Sequence, residues 1–166
     1  MFLFPTYSFH RVTDITPAFL NRLGIRGLIL DVDNPLTTHN NPKPLPGVPQ
    51  WLQTMKEQGI GLMILSNNHP HRVEPFAKML DLPFVADGKK PLASGMKRAA
   101  KALGIGREQV AIVGDQLFTD VWAGNHYGCV SILVEPIEPE DFGFLAVKRR
   151  WERPLLKAYH RRKDRN

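Results

Sequence analysis

Several apolar runs in this chain end in polar side chains whose types and spacing could do chemistry. Asp31 and Asp33 close Gly27-Leu-Ile-Leu-Asp31-Val-Asp33. Ser66 and Asn67 follow Ile60-Gly-Leu-Met-Ile-Leu65, and Asp115 and Asp120 follow Val110-Ala-Ile-Val113-Gly114. Lys89 and Lys90 stand before Pro91. Two acids spaced i, i+2 can point the same way where a strand runs out. Gathering them at an apolar strand end is costly without a cation or a proton. A hydroxyl beside fresh backbone N–H groups can hold anionic oxygens, and a lysine at a helix start is opposed by the helix dipole unless an anion lies nearby. Each place also has a plainer reading. The acids can be solvated in a loop, Ser66-Asn67-Asn68 can be turn chemistry, the lysines can be a solvated pair, and Asp120 can cap the helix after it. Taken together, the set suits phosphoryl transfer.

The elements that must position these groups are legible from patterning. Gly27–Asp31 is a short continuous apolar run, as a strand buried on both faces would be. Further strands are predicted at 60–65, 84–86, 110–113 and 129–134. Helices are predicted near 48–58 and 70–80, from Pro91 to Leu103 with Gly104 at its end, and from Asp120 to Tyr127. A short helix opened by Thr16-Pro17 is expected in the first 26 residues. Strands alternating with helices imply an α/β fold, a Rossmann-like parallel sheet flanked by helices with right-handed crossovers. In such sheets ligands bind beyond the carboxyl ends of the strands, where the polar residues fall.

Composition bounds the rest. A chain of 166 residues with 43% hydrophobic content fits one compact domain. We expect that domain over 1–145, with its core at about 26–135, and a basic tail over 146–166 that is not a separate domain. No run of about 18 apolar residues predicts a membrane span. The start, MFLFPTYSFHR, lacks a positive region before its apolar residues, which argues against a secretory signal. The single cysteine, Cys129, lies in an apolar run and reads as a packing residue. A reducing, cytoplasmic setting suits that count. The charge is uneven: nine Lys/Arg after residue 147 face only Glu152 and Asp164, so the tail carries +7 of the chain's net +6 and the rest carries −1. Any argument about anionic partners concerns the tail.

The order and placement of the polar groups resemble the four motifs of the haloacid dehalogenase-like (HAD) superfamily over roughly Gly27 to Val134. Leu30-Asp-Val-Asp-Asn34, Leu65-Ser-Asn-Asn68, Lys90-Pro91 and Gly114-Asp-Gln-Leu-Phe-Thr-Asp120 resemble the YqeG-type, class IIIA phosphatases, whose relatives include the phosphatidylglycerophosphate phosphatases. Pro35 departs from the usual Asp-x-Asp-x-Thr pattern but leaves both acids in place. The resemblance implies Asp31 as nucleophile, forming an aspartyl-phosphate, and Asp33 as general acid and base. It implies Mg²⁺ held by the Asp31 carboxylate, the Asp33 backbone carbonyl and Asp115. Ser66, Asn67 and Lys90 would bind the phosphate, Lys90 also serving catalysis, and Asp120 would support the metal's waters or Lys90.

Spacing bears on the substrate. The intervals from Asp31 to Ser66 and from Ser66 to Lys90 leave no room for the large cap domains of this superfamily, so a capless, open site is expected. An open site suits a phosphomonoester presented on something large. In the tail, Phe144, Val147, Trp151, Leu155 and Ala158 fall on one helical stripe among basic residues. Such a helix can pack on the domain, lie peripherally on an anionic membrane, or bind RNA. Pro154 is expected to kink or break it. The leading expectation is hydrolysis of phosphatidylglycerophosphate or a similar membrane-presented phosphomonoester. The alternatives are a phosphatase for nucleic-acid ends or small phosphometabolites, and a non-catalytic RNA- or ribosome-associated module. The histidines are too scattered to suggest a zinc site.

Overall fold

The apolar runs become strands of one six-stranded sheet, every pair of which is parallel. The computed structural model describes residues 2–33, 35–38, 42–136 and 144–163. The strands are β1 (Tyr7–Phe9), β2 (Gly27–Leu30), β3 (Gly61–Leu65), β4 (Phe84–Val85), β5 (Val110–Gly114) and β6 (Val130–Val134), in the order β1-β6-β5-β2-β3-β4. The helices are α1 (Pro17–Arg22), α2 (Val48–Glu57), α3 (Pro70–Met79), α4 (Ala93–Leu103), α5 (Trp122–Tyr127) and α6 (Phe144–Lys163).

Burial on both faces explains why β2 reads as an unbroken apolar run. Leu28 and Leu30 enter one core with Leu62, Ile64, Val113 and the inward residues of α2 and α3, among them Trp51, Met55, Val73 and Phe76. Ile29 enters the other core with Met63, Leu65, Ile112 and the α4 residues Met96 and Ala99. Neighbouring positions feed opposite layers, so none of them can be polar.

The topology places the site. From β2 the chain winds through β3 to β4 on one side, then returns to β5 and β6 on the other. The direction reverses between β2 and β5, where loops diverge and a crevice opens at the carboxyl ends. Asp31 follows β2 and Asp115 follows β5, so the two acids flank that crevice.

Four expectations need correction. The N-terminal segment carries a strand besides its helix: β1 extends the sheet through Tyr7, Ser8 and Phe9 beside Ile132, Leu133 and Val134. Helix α4 begins at Ala93 and not at Pro91, because Leu92 keeps an extended backbone (φ −67°, ψ 144°). Asp120 does not cap the next helix. It lies inside a π-helical turn, Leu117–Val121, which runs directly into α5. Pro154 does not break the tail helix, since α6 runs through it. Arg150 and Pro154 are both exposed, so water can reach the Arg150 carbonyl that the proline leaves without a donor.

Helix α6 also divides the predicted stripe. Leu155 packs with Leu156 against Leu117, Val121 and Leu133. Val147 and Trp151 stay 54% and 67% exposed. Phe144 lies among residues whose side chains are outside the description. The inward face is instead set by Glu152, which is 1% exposed.

Candidate active site

Lys90 is the centre of the site. Its ammonium donates to Asp31 Oδ1 at 2.8 Å and to Asp120 Oδ1 at 2.6 Å, and all three side chains are nearly or fully buried. One carboxylate oxygen from each of Asp31, Asp115 and Asp120 lies within 4.8 Å of the others. Three acids thus share a buried crevice with one ammonium. Burial, first, and then the Asp120 carboxylate push the Asp31 carboxyl well above its ordinary value, against the pull of Lys90. Burial works against the Lys90 charge, but Asp120 and Asp31 outweigh it and hold the ammonium above its ordinary range.

The loops are shaped for this convergence. The Asp120 carboxylate folds back under the end of β5, where Oδ2 accepts the Gln116 N–H at 3.2 Å. Any Cβ at Gly114 would collide with the Asp120 side chain, so only glycine fits there. On the opposite side, Asp87 N–H donates to Asn68 O at 3.0 Å and Gly88 N–H to Ser66 O at 2.8 Å. These bonds tie the loop after β4 to the loop after β3. Asp87 and Lys89 take left-handed backbones (φ 48° and 54°), a local cost of the kind found where a neighbouring residue must be aimed.

Each residue predicted from the sequence can now be placed. Asp31, Asp115, Asp120 and Lys90 converge, and Lys89 points away as an exposed side chain. Ser66 is buried, and its Oγ accepts the Asn68 N–H at 3.1 Å, which leaves its O–H to donate. The Asn67 amide has a job the sequence did not suggest. Its Oδ1 accepts the Lys90 N–H at 2.8 Å and its Nδ2 donates to the Lys90 carbonyl at 3.1 Å, so it grips the lysine's backbone. The Asp33 carboxylate stands outside the acid cluster. It lines a cavity of about 380 Å³ with Val32, Thr37, Ser66, Arg72 and Phe76.

Sequence reasoning missed Glu152. Its Oε1 accepts the N–H groups of Leu117 at 2.9 Å and Phe118 at 3.4 Å, at the start of the turn that carries Asp120. A lone acid in a run of basic residues was the available signal. His69 and His71 stack on each other and His69 pairs with Asp87, all outside the acid cluster.

The donor set fits a small hard cation. Asp31, Asp115 and Asp120 offer carboxylate oxygens alone, converging in a buried crevice, and oxygen-only sites with few carboxylates suit Mg²⁺. Such an ion would offset the acid charge that one lysine leaves.

The chain is similar in sequence and in fold to known hydrolases. The family described as haloacid dehalogenase-like hydrolase matches residues 13–128. The probable phosphatase YqeG of Bacillus subtilis is 35% identical over 97% of this chain and 94% of its own length. The chloroplastic/mitochondrial phosphatidylglycerophosphate phosphatase 1 of Arabidopsis thaliana is 25% identical over 97% of this chain, which spans 49% of that protein. Among solved structures, the fold is shared with a 4-nitrophenylphosphatase of Thermotoga maritima (TM-score 0.59, 14% identity, 80% of this chain and 91% of that one). It is shared also with NagD of Escherichia coli (TM-score 0.58, 14% identity, 70% and 90%).

Proposed function

The chain belongs to the haloacid dehalogenase-like hydrolases and is a phosphatase, and we propose that it cleaves phosphomonoesters through an aspartyl-phosphate on Asp31 with Mg²⁺ as cofactor. The observation that carries this reading is the convergence of Asp31, Asp115, Asp120 and Lys90 at the point where the sheet reverses direction.

In the first half-reaction an Asp31 oxygen attacks phosphorus in line. The new bond to Asp31 forms as the bond to the ester oxygen breaks, and Asp33 delivers a proton to the departing oxygen from the cavity side. In the second, Asp33 takes a proton from water as that water attacks phosphorus. Inorganic phosphate leaves and the Asp31 carboxylate is restored. The Lys90 ammonium and the Ser66 hydroxyl hold the non-bridging oxygens while charge redistributes. Asp120 keeps Lys90 charged and aimed. Held by Asp31, Asp115 and the Asp33 backbone carbonyl, with Asp120 beside them, the cation would let an anionic nucleophile approach an anionic substrate.

The substrate we propose is phosphatidylglycerophosphate or a closely similar lipid phosphomonoester. The named relatives support it. So does the cavity beside Asp33, which combines the apolar side chains of Val32, Val73, Phe76 and Met79 with the cation of Arg72. Arg72 suits a leaving group that carries a second anionic oxygen. Between Asp31 and Lys90 the described residues hold only α2, α3 and their strands, so a substrate presented on a bilayer meets no inserted cap.

Phosphate release from phosphatidylglycerophosphate in mixed micelles tests this, with Mg²⁺ or EDTA, with Asp31→Asn as control and an aryl phosphate in parallel. Lipid turnover that needs both Mg²⁺ and Asp31 is the expected result. Turnover of the aryl phosphate alone discards the lipid and keeps the chemistry. No Mg²⁺- and Asp31-dependent turnover of either discards both.

A further inference from the structure

Helix α6 turns two different faces to its surroundings. Inward it sets Glu152, Leu155 and Leu156 against the turn that carries Asp120 and against Leu133. Outward, Val147, Trp151, Pro154 and Ala158 recur at spacings of four, three and four, which draws one apolar line along the helix. All four are exposed, Trp151 at 67% and Val147 at 54%. By helical spacing, Arg150, Lys157 and Arg161 border one edge of that line and Arg162 the other, and each is exposed. The helix has a single acid, Glu152, and it is turned inward and buried. Among the described residues of the helix, no acid lies on the outer face beside these cations, and a tryptophan runs along its middle.

We propose that this outer face of α6 docks on an anionic lipid bilayer and holds the active site beside it. Cations attract the face to the surface, and the apolar line then leaves water at the headgroup boundary, where tryptophan is favoured. Val147 and Ala158 decide between anionic partners, since a phosphate backbone gives no return for burying them. The location fits the proposed reaction. The turn under α6 carries Asp120, so the docked helix lies next to the lysine and acid cluster. Phe4 meets the Tyr159 ring of the same helix edge-on at 6.0 Å, and Phe2, two residues before it, is 65% exposed. The biological purpose rests on the lipid-phosphatase reading, but the docking is measured without turnover.

The test uses the full chain with vesicles of phosphatidylcholine alone, vesicles of phosphatidylcholine mixed with phosphatidylglycerol, and single-stranded RNA. Cosedimentation and tryptophan emission are read across a salt series. The expected result is binding to the anionic vesicles alone, weakened by salt, with a blue shift that Trp151→Ala removes. Val147→Ser with Trp151→Ala should weaken vesicle binding at least about tenfold. Replacing Arg150, Lys157 and Arg161 together by Gln should do the same and flatten the salt dependence. Aryl phosphate turnover, read alongside, should be unchanged in these variants, which shows that they are folded. If the unaltered chain turns over neither the aryl phosphate nor the lipid, the phosphatase reading fails while the vesicle result still stands. The proposal is overturned if anionic vesicles are not bound at low salt, or if binding is indifferent to Val147 and Trp151. It is overturned also if RNA is bound in preference.

Discussion

The side chain of Asn67 grips the backbone of Lys90 from both sides, accepting its N–H at 2.8 Å and donating to its carbonyl at 3.1 Å. A side chain in the loop after β3 thus aims a lysine 23 positions away. Asn67→Ala removes both bonds, at a cost of about 1–3 kcal/mol in stability. We expect kcat to fall about tenfold or more because the ammonium is no longer held at the reacting oxygens. If Asn67 acts through Lys90, the losses are not additive. Asn67→Ala in a Lys90→Met background should then cost little further activity. Full additivity in steady-state kinetics would show that Asn67 works on the phosphate directly.

The acid cluster predicts opposite signs for two substitutions in the metal-free protein. Burial and Asp120 raise the Asp31 carboxyl well above its ordinary value of 3.8. A group raised in the folded state favours folding when protonated, and that contribution is lost as pH rises through the raised value. Asp31→Asn imitates the protonated form. In EDTA it should raise Tm by about 2–4 °C at neutral pH, with the gain shrinking as pH falls toward 3.8. Lys90→Met leaves three buried acids without their ammonium and should cost about 3–5 kcal/mol. Added Mg²⁺ should reverse the first effect, stabilising the unaltered chain more than Asp31→Asn. Thermal scans at several pH values, with and without Mg²⁺, read all three.

Cys129 sits beneath α5, and burial pushes its thiol up to about 12. The thiolate is the reactive form, so at pH 8 only about one molecule in ten thousand carries it. Alkylation by iodoacetamide should run far below the rate of the guanidinium-unfolded chain. Equal rates in the two states would place Cys129 outside the packing that the structure gives it.

Much of this was legible in the sequence because the strands are buried on both faces. Gly27–Leu30 and Val110–Val113 admit no polar residue, so their ends are marked where Asp31 and Asp115 begin. Asp31, Asp115, Asp120 and Lys90 were identified from that marking and from motif order, and the fold brings them together. What was hidden depends on contacts between distant segments. β1 is three residues long and has meaning only beside β6. Asn67 read as a turn residue or a phosphate ligand, and its grip on the Lys90 backbone showed only when the loop after β4 was laid against it. Pro154 argued for a break in α6, but on an exposed face the missing hydrogen bond is cheap. Five tail residues shared one stripe on paper. Packing against Leu117 and Val121 took Leu155 inward and left Val147 and Trp151 outside.

Glu152 gives the tail a second role, because its carboxylate receives the Leu117 and Phe118 N–H groups of the turn that carries Asp120. Those donors open a helical segment and would otherwise be buried without an acceptor from that turn. A carboxylate there is also favoured by the dipole of the segment that follows. Glu152→Ala should therefore destabilise the chain by about 1–3 kcal/mol. It should also loosen Asp120, lowering kcat and weakening Mg²⁺ binding severalfold, with KM changing less. Glu152→Gln keeps an accepting oxygen and loses the charge, so it should recover most of the Mg²⁺ affinity. Calorimetric titration of Mg²⁺ into the three proteins decides the matter. If Glu152→Ala lowers Tm but binds Mg²⁺ as tightly as the unaltered chain, the carboxylate is only a fastener for α6. If affinity falls and Gln restores it, the tail helix helps hold Asp120 in place.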